Sequence, residues 1–129
     1  MRLSDINGDG ADEFVLISGF GSPTPRAYVV SGASGTIIYS INGNVLGWGT
    51  GAAVIPDVTG DGFSDIAVSA VSGTTLARVF IYSGSNGNFF RTITGGIGFG
   101  RSIASVGDFD GDGFKDFVVS DLPVGAISG

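Results

Sequence analysis

The sequence predicts an all-β fold, a partial β-propeller of about two and a quarter four-stranded antiparallel blades. Three observations support this prediction. The chain repeats itself with a period of 51 to 52 residues, its apolar runs are short and rich in β-branched and aromatic residues, and no stretch shows helical periodicity of useful length. Glycine accounts for 24 of the 129 residues, far above its usual share of about 7%, so we expect many tight turns between the strands.

The internal repeat is visible along nearly the whole chain. A shift of 52 residues lays Ser31–Ile41 over Ser83–Ile93, and a shift of 51 lays Gly47-Trp48-Gly49 over Gly98-Phe99-Gly100. Each repeat is therefore expected to form one supersecondary unit that packs against the next unit along the chain.

Four strands are predicted in the middle repeat. They are bounded by Gly, Asn, Ser and Asp, which favour turns, and cover Gly51–Ile55, Asp65–Ser69, Ala77–Tyr82 and Asn88–Ile93. The first repeat is predicted to lack its opening strand and the third to end after Phe117–Ser120, which gives nine strands in all.

These strands divide the chain into three predicted units. They are an incomplete blade at residues 1–46, a complete blade at 47–96 and an incomplete blade at 97–129. Because about four blades are the minimum for a closed propeller, we expect the chain to be part of a longer protein or to associate in order to cover its blade faces.

Eleven of the twelve acidic residues lie in three short loops, at residues 5–13, 57–65 and 108–116. Carboxylates this close repel one another by about 1 kcal/mol per pair at 4 Å even in water. The loops share the pattern D-x-[DN]-x-D-G-x-x-D, with variants, in which alternate positions carry oxygen atoms. Calcium takes six to eight oxygen ligands, so each loop is predicted to hold one Ca²⁺ ion.

The predicted ligands are the side chains at positions 1, 3, 5 and 9 of each loop and the main-chain carbonyl at position 7. They are Asp5, Asn7, Asp9, Glu13 and the carbonyl of Ala11; Asp57, Thr59, Asp61, Asp65 and the carbonyl of Phe63; and Asp108, Asp110, Asp112, Asp116 and the carbonyl of Phe114. By charge count the third loop is expected to bind most tightly. The second is expected to bind most weakly, because Thr59 offers a neutral hydroxyl.

Other interpretations fit the loops less well. Asp-Gly and Asn-Gly pairs form turns without a metal, but a turn needs one such residue rather than three or four acids at alternate positions. EF-hands and dockerins open with the same spacing, but an EF-hand needs a Glu at position 12 and flanking helices. Position 12 is Leu16, Val68 or Val119 here, and the flanks are strand-like. Nonapeptide calcium β-rolls repeat far more often than every 51 residues.

The composition excludes several functions. A net charge of −6 and a pI near 4.1 argue against nucleic-acid binding. The absence of His and Cys removes zinc sites, thiol catalysis and triads that use an imidazole base. No apolar stretch approaches the roughly 20 residues of a membrane span, and any export signal is expected to lie outside this chain.

An aromatic-Gly pair precedes two of the loops: Trp48-Gly49 before 57–65 and Phe99-Gly100 before 108–116. In this respect the chain resembles FG-GAP repeats, the blades of integrin alpha-chain propellers and of many bacterial surface and secreted proteins. The Gly-Ala-Pro element of the family is degenerate, with Ser69–Val71 and Ser120–Pro123 in its place, which favours a bacterial or otherwise divergent member. The resemblance implies that the loops join the first and second strands of each blade and bind calcium on one face.

We therefore expect a calcium-binding propeller segment of an extracellular or cell-surface protein, a scaffold for adhesion or ligand binding. Its partners would be a protein or glycan ligand, or further blades of the same or another chain. The alternative is a non-catalytic module or fragment of a secreted polysaccharide- or lipid-acting enzyme. Catalysis by this segment is not expected, because no His, Cys or Lys–Tyr constellation appears in the sequence.

Overall fold

The computed structural model describes residues 1–18, 21–73 and 76–121. Across these residues it contains ten strands in three antiparallel sheets, and no helix that could cross a membrane. The first sheet, blade 1, consists of β1 (Arg2–Leu3), β2 (Glu13–Ser18), β3 (Arg26–Val30) and β4 (Ile37–Asn42) in that order. Blade 2 consists of β5 (Trp48–Ile55), β6 (Asp65–Ala70), β7 (Arg78–Tyr82) and β8 (Phe89–Thr94), and blade 3 of β9 (Phe99–Gly107) and β10 (Asp116–Asp121).

The all-β, partial propeller architecture is confirmed, and the four strands predicted in the middle repeat are all present. The predicted strand count was wrong by one. Arg2 and Leu3 form a two-residue opening strand that pairs with Phe14 and Glu13 of β2. Leu3 is fully buried between blades 1 and 2. Its burial stabilises a strand that is too short to be predicted from a sequence pattern. Leu122 and Pro123, predicted to end the third Gly-Ala-Pro counterpart, lie outside the described residues.

Each aromatic-Gly pair begins a strand and bends it. In β5, Trp48 pairs with Ala70 but Gly51 pairs with Ser69, so the strand bulges between these pairs. Gly49 and Gly100 follow the two aromatic residues and have φ values of 87° and 85°, in the left-handed region that favours glycine. The aromatic ring can thus turn into the space between blades while the strand continues along its sheet.

The apolar side chains of the sheets form two cores, one between each pair of blades. The first contains Leu3, Val15, Ala27, Val29 and Ile41 from blade 1 with Trp48, Ile66, Val68, Ala70 and Tyr82 from blade 2. The second contains Ile55, Ala67, Val79 and Ile81 from blade 2, packed against Phe99, Ile103, Phe117 and Val119 from blade 3. Alternate residues of β6 therefore enter opposite cores, and every residue of this strand is buried.

Trp48 is a central residue of the first core. Only 1% of its surface is exposed. Its indole Nε1 donates a hydrogen bond of 3.2 Å to the Tyr82 hydroxyl, and the two rings meet edge to face with centroids 6.4 Å apart. The polar edge of the indole is thus satisfied inside an apolar layer.

No described residue covers the outer faces of blades 1 and 3 in the way that neighbouring blades cover the two cores. Phe14 and Leu16 of β2 are 48% and 54% exposed, although the positions equivalent to them in blade 2, Ile66 and Val68, are fully buried. On the other side, Val118 of β10 is 50% exposed. Each outer face is therefore apolar at positions that a further blade would cover.

Ile66 and Leu16 provide a test of this difference. Replacing Ile66 with Ala is expected to lower the free energy of unfolding by about 2–5 kcal/mol, because it opens a cavity between two packed blades. Leu16→Ala, on the open face, should cost less than about 1 kcal/mol. Urea unfolding followed by Trp48 fluorescence measures both, and equal losses would contradict the packing described here.

Candidate metal centre

The three acidic loops occupy equivalent positions in their blades. Residues 5–13 join β1 to β2, residues 57–65 join β5 to β6, and residues 108–116 join β9 to β10. The last acid of each loop, Glu13, Asp65 or Asp116, is also the first residue of the second strand. The expectation that the loops link the first and second strands is therefore confirmed.

Within each loop, three carboxylates converge. One oxygen from each member of the group lies within 4.8 Å of the others; the groups are Asp5, Asp9 and Glu13; Asp57, Asp61 and Asp65; and Asp108, Asp110 and Asp116. In the third loop, Asp110 takes part and Asp112 does not, unlike the equivalent Asp9 and Asp61. Carboxylates at this separation repel one another strongly unless a cation or hydrogen-bond donors lie among them.

The first aspartate of each loop organises the turn by accepting two hydrogen bonds from glycine amides. Asp5 accepts from Gly8 at 2.7 Å and from Gly10 at 2.8 Å. The corresponding bonds join Asp57 to Gly60 and Gly62, and Asp108 to Gly111 and Gly113, all between 2.6 and 2.9 Å. The loop thus folds around this carboxylate, and its remaining side chains turn toward the same space.

The residues at positions 3 and 5 also bind the loop backbone. The side chain at position 5 accepts the amide N–H of position 7: Ala11 donates to Asp9, Phe63 to Asp61 and Phe114 to Asp112, at 2.8 to 3.0 Å. At position 3, the oxygens of Asn7 and Asp110 accept from the amides of Asp9 and Asp112. The role of the position 7 carbonyl oxygens as calcium ligands stays a prediction.

Glu13 provides the sharpest indication of a cation. Its side chain is fully buried, and Oε2 accepts a hydrogen bond of 2.8 Å from the Ile6 amide. Oε1 is buried as well, yet no described residue donates a hydrogen bond to it. A buried, unpartnered carboxylate oxygen is costly, and it belongs to the group formed with Asp5 and Asp9. This set of hard oxygen donors fits a calcium ion.

In the first two loops, hydrogen bonds lower the pKa of the carboxylate at position 5 and so favour its charged form. The Ala11 amide is the main cause that lowers the pKa of Asp9; burial opposes it, and Asn7 and Ser31 lower the pKa further. For Asp61, burial acts to raise the pKa. Hydrogen bonds from the Ser83 and Ser85 hydroxyls and the Phe63 amide outweigh it, so the pKa lies below its ordinary value.

The serine hydroxyls in the turns between the third and fourth strands were missed by the sequence analysis. Ser31 Oγ lies 3.1 Å from Asp9 Oδ2, and the hydroxyls of Ser83 and Ser85 both donate to Asp61 Oδ2 at 2.7 Å. The signal was present, because Ser31 and Ser83 coincide at a shift of 52 residues. By residue type alone, these serines indicate turns and not contacts with the acidic loops.

The glycine that follows Ser31 and the glycine that follows Ser83 let the turns approach the acidic loops. A Cβ atom on Gly32 would lie 2.0 Å from the Asp12 carbonyl oxygen, and one on Gly84 would lie 1.8 Å from the Ser64 carbonyl oxygen. Backbone therefore packs directly on backbone, and each serine is carried to its aspartate.

Comparisons with known proteins agree with the propeller fold. A family model described as an FG-GAP-like repeat matches residues 57–119. Integrin alpha-4 from Xenopus laevis is 33% identical over 106 residues, which cover 73% of this chain and 10% of that protein. Integrin alpha-E and integrin alpha-2 from Mus musculus are 26% and 31% identical, over 89% and 62% of this chain. The chain spans about a tenth of the length of these relatives, from 8% to 12%.

Replacing Ser83 with Ala tests the link between the turn and the loop. The variant should raise the pKa of Asp61 toward its ordinary value of 3.8, because one hydroxyl donor to the carboxylate is lost. A depressed carboxyl pKa stabilises the fold above the unfolded-state pKa, and this contribution disappears as the pH falls through the folded-state value. The variant should therefore lose less stability than the parent as the pH falls from above 3.8 through the folded-state pKa of Asp61.

Carbon-detected NMR of the chelator-treated chain measures the carboxyl pKa directly. Ser31→Ala is the matched control, since its hydroxyl contacts Asp9 and should leave Asp61 unchanged. An unchanged pKa of Asp61 in Ser83→Ala would contradict the predicted link.

Proposed function

Because the chain belongs to the FG-GAP repeat family, we propose that it is a calcium-binding propeller segment of an extracellular or cell-surface protein. In this role it serves as a scaffold for adhesion or ligand binding. The observation that carries the proposal is the convergence of three carboxylates in each loop, together with the buried Oε1 of Glu13, which accepts no hydrogen bond from the described residues. We assign no catalytic role to the segment.

The proposed ligands are those that the loop pattern predicts: the side chains at positions 1, 3, 5 and 9 and the carbonyl at position 7. Up to three calcium ions bind in this way. The third loop, with four carboxylates among these positions, is proposed as the tightest site, and the second, with Thr59, as the weakest. Three divalent ions would also balance the formal charge of −6.

Calcium acts here on folding and rigidity. Each ion joins the end of a first strand to the start of a second strand and removes the repulsion among the carboxylates. An ion that binds only the folded chain adds about 2.7 kcal/mol per site at a hundredfold excess over Kd. Extracellular calcium modules bind with Kd values of about 10⁻⁴–10⁻³ M, which suits the calcium concentration outside cells and supports the proposed location.

The open faces of blades 1 and 3 are proposed to meet further blades, of the same or another chain. Phe14 and Leu16 on one side and Val118 on the other repeat the positions that are buried between blades 1, 2 and 3. The proposed blade limits are 1–46, 47–96 and 97–129. Further blades that pack on the two open faces would continue the propeller. A protein or glycan ligand would then bind the completed assembly.

A calorimetric calcium titration of the chelator-treated chain tests the proposal. We expect saturable binding in the range of 10⁻⁴–10⁻³ M, with a stoichiometry of two to three. Joint replacement of Asp108, Asp110 and Asp112 by Asn should remove the tightest site, because it removes three negative charges from one loop.

Asp121→Asn is the matched control, since Asp121 is the acid outside the three loops. It should leave the titration unchanged. A chain that is folded by circular dichroism and yet binds no calcium up to 10 mM would refute the proposal, because the loops would then be turns without metal.

A further inference from the structure

We infer that loop 57–65 has exchanged its ion for internal hydrogen bonds and braces blade 2 against blade 1 without metal, whereas loop 5–13 requires the cation. The inference rests on the proposed calcium function and narrows it, by stating which of the first two loops takes the ion. It concerns how the carboxylate oxygens are used, which the acidic pattern of the loops does not reveal.

The charge of the converging side chains does not separate the two loops, because the additional acid of the first loop, Asp12, pairs with Arg2 instead. Each has three converging carboxylates, Asp5, Asp9 and Glu13 in one and Asp57, Asp61 and Asp65 in the other. At position 3 each has a neutral side chain, Asn7 or Thr59. By charge count alone the two loops would bind an ion about equally well.

Hydrogen bonding separates them clearly at position 9. An ionised carboxylate offers about four lone-pair sites to donors or metals. Asp65 fills all of them: Oδ2 accepts from the amides of Val58 and Thr59 at 2.7 and 2.9 Å, and Oδ1 accepts from the Thr59 hydroxyl and the Gly84 amide, both at 3.1 Å. A metal ion could bind Asp65 only by breaking one of these bonds in a fully buried place.

The other carboxylates of the second loop are also largely occupied. Asp61 Oδ2 accepts two hydroxyl donors, Ser83 and Ser85. Asp57 Oδ1 accepts from the amides of Gly60 and Asp61 and lies 3.4 Å from the Thr59 hydroxyl. Neutral donors therefore supply much of the positive potential that a cation would otherwise bring.

The first loop keeps its oxygens available. Each oxygen of Asp5 and of Asp9 accepts one hydrogen bond, and Glu13 Oε2 accepts one. Glu13 Oε1 accepts none from the described residues although it is buried. At position 9, one loop thus has a saturated aspartate and the other a glutamate with a bare oxygen.

The saturated loop is tied to the neighbouring blade. The Gly84 amide donates to Asp65, and the carbonyl of the same residue accepts from the hydroxyl of Tyr39, which belongs to β4 of blade 1. The Tyr39 ring also packs on the turn, since a Cβ atom on Gly87 would lie 2.7 Å from it. A continuous path of hydrogen bonds therefore runs from the second loop into blade 1.

The test is a calcium titration of the full chain, labelled with ¹⁵N and followed by two-dimensional NMR after chelator treatment. Each loop has two glycine amides bonded to its first aspartate, and these amides report the loops separately. Gly8 and Gly10 should shift with half-saturation near or below 1 mM calcium, whereas Gly60 and Gly62 should need at least tenfold more. Gly111 and Gly113 report the third loop.

The outcomes separate this inference from the proposed function. If Gly60 and Gly62 shift together with Gly8 and Gly10, the inference is overturned while the calcium function stands. If no glycine of a folded chain shifts by 10 mM, both fail.

A pair of variants at Thr59 tests the cause. Thr59→Asp adds a carboxylate and removes the hydroxyl donor to Asp65, so calcium should now shift Gly60 and Gly62 at a concentration at least tenfold lower than in the parent. Thr59→Val removes the donor without adding a ligand. It should lower the thermal midpoint of the metal-free chain, and its gain in calcium affinity should be smaller than that of Thr59→Asp. If Gly60 and Gly62 of folded Thr59→Asp respond as in the parent, the hydroxyl is not what replaces the ion, and the inference falls.

Discussion

The structure depends on one recurring interaction, a hydrogen bond from the second residue of each acidic loop to the carboxylate that begins the second strand. Ile6 donates to Glu13, Val58 to Asp65 and Phe109 to Asp116, at 2.7 to 2.8 Å. This bond closes the loop across the ends of two strands and places the acidic side chain close to the other carboxylates. The blade and its acidic centre are therefore built by the same contact.

The same loop fold can serve two different purposes. Around a closed loop the carboxylates still repel one another, and either a cation or hydrogen-bond donors can offset this repulsion. Among the described residues, donors occupy Asp65 completely but leave Glu13 Oε1 without a partner. Loops with the same backbone fold thus differ in how their carboxylate oxygens are used, with Glu13 and Asn7 in one and Asp65 and Thr59 in the other.

Blade 2 is packed between two other blades, which explains why one of its strands is buried at every position. Its strand β6 faces a neighbour on both sides, so Ile66 and Ala67 enter different cores. Blades 1 and 3 each have one covered face and one open face on which Leu16 and Val118 are about half exposed. The propeller packing is therefore a chain of nearest-neighbour contacts, as in other repeat proteins.

Local patterns were enough to predict the strands of the middle repeat and the three acidic loops: alternation over a few residues and carboxylates at fixed spacing. The order of strands followed from the 51- to 52-residue repeat. The opening strand Arg2–Leu3 depends on packing, since two residues carry no pattern and Leu3 is held by burial. Packing also determines which oxygens accept hydrogen bonds, because the donors are distant in the chain: Ser31 is 22 residues from Asp9, and Tyr39 is 45 from Gly84. Hydrogen bonds of this range arise only when turns and blades pack together, and no local pattern contains them.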